Sequence, residues 1–151
     1  MNVERRLKEL NYELPEMSPP KAMYIPVKQI GNALFVSGQI PMLDGKLLYS
    51  GKAGDKRTLE EAQDAAKICA LNALAALKAY LGDLDRVKSI VKVQAFVNSV
   101  VGFENQHLVV NAASQVLFDA FGEAGRHART AVGTNQLPMD ATVEVELIAE
   151  V

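Results

Sequence analysis

The stretch Arg126-His127-Ala128-Arg129-Thr130-Ala131-Val132-Gly133 and, past Leu137-Pro138, the run Ala141-Thr142-Val143-Glu144-Val145-Glu146-Leu147-Ile148 decide how this chain is read. In the second run Val143, Val145, Leu147 and Ala149 alternate with Glu144, Glu146 and Ile148. That period of two sends one face of a strand to a core and the other outward. The first run is β-prone as well, so the chain is expected to finish with two strands around the Leu137-Pro138 turn. The same residues carry the strongest chemical signal in a sequence with two histidines, one cysteine and no metal-ligand cluster. It is a strand-borne arginine, Arg129, followed by a strand-borne glutamate, Glu144.

Upstream, Phe103 to Phe121 shows helical spacing through Val109, Ala112, Val116 and Ala120, stopping at Gly122. Val87 to Val97 is rich in β-branched residues and predicts a strand. Thr58-Leu59-Glu60-Glu61 has the capping-box pattern, in which the threonine hydroxyl and a glutamate three residues on satisfy each other's free amides. The long helix it opens should reach about Tyr80 and end at Gly82, with Ala62, Ala66, Cys69, Ala73 and Leu77 along one close-packing side. Gly31-Asn32 and Asp44-Gly45 are two-residue hairpin signals. Val3, Leu7 and Leu10 lie on one face of a short helix that ends before Pro15 and Pro19-Pro20. The sum is an α+β chain: a mixed sheet with two helices packed on one face. The strand from Ile90 to Val97 is apolar on both sides except at Lys92 and Gln94, so the uncovered face calls for burial against further copies of the chain.

A length of 151 residues with 49% hydrophobic content suits one compact core. A formal charge of -2, with basic residues scattered among acids, gives no basic face for a phosphate backbone. Nucleic acid is therefore not an expected partner. The charged N-terminus and the lack of a membrane-length apolar run lead to the expectation of a cytoplasmic protein with no membrane contact. Cys69, alone among apolar neighbours, is expected to be buried and inert.

From Tyr24 to Val151 the sequence resembles the reactive intermediate deaminase (RidA/YjgF) family, also called L-PSP endoribonuclease-like. The resemblance is carried by Gly31-Asn32, Val36-Ser37-Gly38-Gln39-Ile40-Pro41, Leu81-Gly82-Asp83-Leu84, Val91-Lys92-Val93, Phe96-Val97, Ala128-Arg129, Leu137-Pro138 and Val143-Glu144-Val145. It implies a chorismate-mutase-like protomer assembled as a homotrimer, with sites in clefts between subunits. It divides the chain into an N-terminal helical extension, 1–20, and a YjgF/Rid-like domain, 21–151. The activity it implies is hydrolysis of 2-enamine or 2-imine acids to 2-keto acids and ammonia, without a cofactor. Carried over residue by residue, Arg129 would grip the substrate carboxylate through a two-pronged hydrogen bond that lysine matches poorly. Glu144, on the facing strand, would hold or deprotonate the attacking water. The backbone at Ala131 would help place that water, Tyr24 and Ser37 would supply an aromatic wall and a hydroxyl, and Gly38 would leave room. The chain departs from the family pattern at His127, Thr130 and Ala131, where proline, serine and cysteine are usual, and at Val101, where asparagine is frequent.

Each assignment competes with a plainer one. An arginine and a glutamate on nearby strands can be a surface ion pair contributing about 0–1 kcal/mol. His127 shares Arg129's side of an extended strand and is a candidate acid or base or a solvated loop residue. His107, at the start of a helix, has no partner at ligand spacing, so no metal role is expected. Ser37 lacks a nucleophile elbow. Two other functions stay open: a module that binds a small carboxylate such as a 2-keto acid without turnover, and an endoribonuclease, as the family's older name has it.

Overall fold

The computed structural model describes residues 2–17 and 22–151, and the expected break at Pro19-Pro20 lies outside them. Ten regular elements follow one another: α1 (Val3–Glu9), β1 (Val27–Ile30), β2 (Ala33–Gln39), β3 (Met42–Leu43), β4 (Lys46–Leu47), α2 (Leu59–Leu81), β5 (Ser89–Asn98), α3 (Gln106–Phe121), β6 (Ala128–Thr134) and β7 (Val143–Glu150). Their starts follow the local chemistry. In α2 the Thr58 hydroxyl accepts from the Glu61 amide and the Glu61 carboxylate accepts from the Thr58 amide, at 3.1 and 3.2 Å. The β3–β4 hairpin turns at Asp44 and Gly45, with φ of 51° and 75°, the pair of positive angles that matches the strand twist.

The main sheet has the order β1-β2-β7-β5-β6. Every neighbouring pair is antiparallel except β5 and β6, which are parallel and joined through α3. This corrects one expectation. The last two strands do not face each other, because β5 lies between β6 and β7. Nothing in the alternation of either strand encodes that order, which is set by the crossover through α3.

Helices α2 and α3 pack together and against one face of the sheet. That face contributes Val36, Val93, Ala95, Val97, Val143, Val145, Leu147 and Ala149, all buried. Alanines and Cys69 line α2 where it meets them, so the helix lies close to the strands. The Cys69 Sγ donates to the Val143 carbonyl, and burial pushes the thiol well above its ordinary range. The N-terminal helix shares this core: Val3 and Leu7 are buried in it. Around them the Val3 amide donates to Asp85, Lys78 pairs with Glu4, and the Tyr12 hydroxyl donates to Asp119. Partial burial first, and then Asp119, push the Tyr12 pKa up to about 12. The 20/21 boundary expected from sequence falls among residues that are not described.

The opposite face of the sheet carries Phe35 and Ser37 of β2, Glu144, Glu146 and Ile148 of β7, and Lys92, Gln94 and Phe96 of β5. The strand registers place them there, one residue out of step with the buried rows. No helix among the described residues packs on this face. At its far end the buried side chain of Asn98, the last residue of β5, joins the β4–α2 and β6–β7 connections. It donates to Asp140 and to the Ala141 carbonyl, and accepts from Lys52. Lys52 also donates to the Asn135 carbonyl. This network fixes the point from which β7 starts.

Candidate functional site

Arg129 pairs in register with Val93, and Ala131 with Ala95. Both therefore point to the side of the sheet that α3 covers. Because β6 is an edge strand, the Arg129 side chain emerges beside α3 and is held by it. One guanidinium nitrogen donates to Asn111 Oδ1 at 2.9 Å and Ser114 Oγ at 3.1 Å, and the other to the His107 carbonyl at 3.3 Å. His107, Asn111 and Ser114 follow the helical spacing that puts them on one side of α3. None of the three is an acid, and Arg129 makes no ion pair among the described residues. Its charge is oriented but not neutralised. The recess above it holds ≈ 450 Å³ and is lined by Arg126, His127, Asn111, Ser114, Gln115 and Phe118 together with Arg129.

Glu144 pairs in register with Phe96, on the uncovered face. Its carboxylate lies over Gly38, so closely that a Cβ at that position would overlap Oε1. Burial, followed by the charge of Glu146, raises the Glu144 pKa above the usual carboxylate value. Gly38 and Tyr24 line a common recess of ≈ 240 Å³ with Pro26 and Gln39. Ser37 is committed to structure: its hydroxyl donates to the Ile25 carbonyl at 2.8 Å. It lines a neighbouring hollow with Lys92, Gln94 and Glu146. Val101 is fully exposed at the turn after β5.

The expected site residues thus fall into two groups. Arg129 and Ala131, with His127 nearby, occupy the helix side at the β6 edge. Tyr24, Ser37, Gly38 and Glu144 belong to the uncovered face around β2 and β7. Arg129 lies in the row of Val93 and Leu147, three residues along from Glu144, with β5 intervening. At about 3.3 Å per residue and about 4.8 Å per strand, that is roughly 10 Å in each direction, and through the sheet as well. One protomer does not bring Arg129 and Glu144 together, and the facing-strand expectation is corrected accordingly. Sequence reasoning also missed Asn111 and Ser114. Their signal was a polar stripe on α3 in line with His107, a pattern that ordinarily marks a solvated helix face.

Among the described residues no group of three His, Cys, Asp or Glu side chains is placed to hold a metal ion, and no helix is long and apolar enough to cross a membrane. The sequence matches the family model described as "YjgF/chorismate mutase-like, putative endoribonuclease" over residues 4–151. It is 44% identical to protein TCP17 of Trypanosoma cruzi, with 98% of this chain and 93% of that protein covered. A crystal structure of an Agrobacterium tumefaciens protein of unknown function has a TM-score of 0.92 at 45% identity, covering 99% of this chain and 92% of the other. Another, described as a "putative endoribonuclease" from Shewanella oneidensis, has a TM-score of 0.96 at 36% identity with both chains fully covered. The match across nearly all of the chain, together with the five-stranded mixed sheet backed by α2 and α3, makes this protein a member of the YjgF/chorismate mutase-like family.

Proposed function

We propose that the protein is a cofactor-independent hydrolase of 2-imino and 2-enamino acids, acting as a homotrimer whose sites are shared between neighbouring protomers. The observation that carries this is Arg129: a guanidinium held by three neutral acceptors, with no acid partner among the described residues and a recess before it. Such a group offers its remaining donors to a carboxylate. Glu144 is the complementary half, a half-buried carboxylate with a raised pKa above a residue that has no side chain to block approach. Since the two lie on opposite sides of the sheet, the Arg129 of one protomer would work with the Glu144, Gly38 and Tyr24 of the next, and the uncovered face would be buried in the contact.

In the reaction, water adds to the imine carbon. A C–O bond forms, the C=N π electrons move to nitrogen, and Glu144 takes one water proton and returns it to nitrogen, which completes the carbinolamine. Glu144 then carries the remaining hydroxyl proton to nitrogen, the C–N bond breaks with its electron pair leaving on ammonia, and the oxygen electrons close the C=O of the keto acid. Ala131 would contribute through its backbone, and Ser37 by fixing the strand entry at Ile25.

The test supplies 2-iminobutyrate generated in place by a dehydratase and follows loss of the imine. Wild-type protein is expected to accelerate hydrolysis, and Arg129→Ala to reduce kcat/KM by about 100-fold or more, the loss expected for a charged, bidentate contact. Arg129→Lys should recover only a small part of it. An Arg129→Ala rate equal to wild type would overturn the assignment. A second reading, binding of a stable carboxylate without turnover, draws on the separation of Arg129 from Glu144 within one protomer. It is distinguished by saturable keto-acid binding with no imine hydrolysis.

A further inference from the structure

The recess between α3 and β6 holds more positive charge than one carboxylate requires. Arg126 lines it alongside Arg129, and no aspartate or glutamate is among its lining residues. His127 is also in the lining, but burial and then the charge of Arg129 lower its pKa, and its Nδ1 faces the Ala128 carbonyl at 3.1 Å, so it adds no charge. Asp119, one turn further along α3, is already taken, accepting from Tyr12 and Gln115 at 2.8 Å each. Glu123 stands 3.4 Å from Arg126, but both side chains are largely exposed, 80% and 71%. An exposed pair of this kind is weak and readily exchanged for another anion. Arg126 and Arg129 are three residues apart, about 10 Å along extended chain, and both side chains reach the wall of the same recess. Phe118, partly exposed in the recess, offers an apolar wall between the cations and the end of α3.

We propose that this recess selects dicarboxylates: Arg129 takes the carboxylate beside the reacting carbon, and Arg126 takes a second carboxylate at the other end of a short chain. The inference rests on the assignment of Arg129 above, and extends it by naming the substrate class as 2-imino and 2-keto dicarboxylic acids. Asn111, Ser114 and the His107 carbonyl are positioning groups here. They hold the Arg129 guanidinium and leave its free edge turned to the ligand. The spacing suits two carboxylates separated by two or three carbons. A longer diacid would have to fold, and a monocarboxylate would leave Arg126 facing only solvent and Glu123.

The test is calorimetric binding of two stable keto acids, 2-oxoglutarate and 2-oxobutyrate, to the full-length protein. Wild type should bind 2-oxoglutarate about tenfold or more tightly than 2-oxobutyrate, the difference expected of one added charge-assisted contact. Arg126→Gln, at a largely exposed position, should bring the ratio close to one. Circular dichroism checks that this variant remains folded. Arg129→Ala should weaken both ligands. Equal wild-type affinities, or a preference that survives Arg126→Gln, overturn the second anion site while leaving Arg129 in its role. Undiminished binding of both acids by Arg129→Ala overturns the assignment on which the proposal rests.

Discussion

A carboxyl that is to take a proton from water has to be ionised at the working pH and yet basic enough to accept one, and the proposed reaction asks both of Glu144. Burial raises its pKa and the neighbouring charge of Glu146 raises it further. For a base, activity is lost as pH falls through its pKa. The acid limb of kcat/KM for imine hydrolysis should therefore lie above the ordinary carboxylate range of about 4.3. Glu146 is exposed on the same strand face, and Glu146→Gln removes one of the two causes. The limb should then move to lower pH with the fold intact, and a limb that stays in place would detach Glu144 from the proton transfer. The same shift opposes folding as pH rises. A carboxyl with a higher pKa in the folded state binds its proton more tightly there, and that advantage is lost as the pH passes above its folded pKa.

Two glycines show how the elements constrain the site. A Cβ at Gly38 on β2 and a Cβ at Gly125, after α3, would overlap their neighbours to the same degree. At Gly38 the neighbour is the far end of the Glu144 side chain. At Gly125 it is the Leu117 carbonyl, part of the α3 backbone. A side chain swings away at little cost, whereas a helix carbonyl does not. Gly38→Ala should therefore melt within a few degrees of wild type and yet lose imine hydrolysis, because the carboxylate has been displaced. Gly125→Ala should lose about 1–3 kcal/mol in denaturant titration. A strongly destabilised Gly38→Ala, or one with full activity, would contradict the assignment of Glu144.

Much of the element plan was legible from local chemistry. Thr58 and Glu61 announced α2, Asp44-Gly45 announced the β3–β4 turn, and the alternation from Val143 predicted which side chains of β7 are buried. Strand order was not legible. A period of two tells a residue which way it faces within its own strand, and says nothing about which strand lies beside it. The position of β5 between Arg129 and Glu144 is therefore not encoded in the alternation of either strand. The polar stripe of His107, Asn111 and Ser114 was hidden for a similar reason: its partner lies on a strand that begins only after α3 has ended.

For the whole molecule, the sheet separates Arg129 from Glu144, which the proposed chemistry must unite. α2 and α3 seal one face, and the other face carries Glu144 with a mixture of apolar and charged neighbours. A monomer would bind a carboxylate at the β6 edge and have no base to direct water onto it. An oligomer that packs the uncovered face of one copy near the β6 edge of the next supplies both halves and covers the exposed Phe35 and Val132 in the same contact. Self-association and catalysis would then be one requirement.

The most direct measurement uses two inactive chains, Arg129→Ala and Glu144→Gln, coexpressed with different tags so that only assemblies containing both are purified. In a ring of three, one interface then joins an intact Arg129 to an intact Glu144, and the mixed assemblies should recover about a third of wild-type imine hydrolysis while each parent alone stays inactive. Mixed assemblies as inactive as their parents would show that no site is formed by Arg129 from one copy and Glu144 from another.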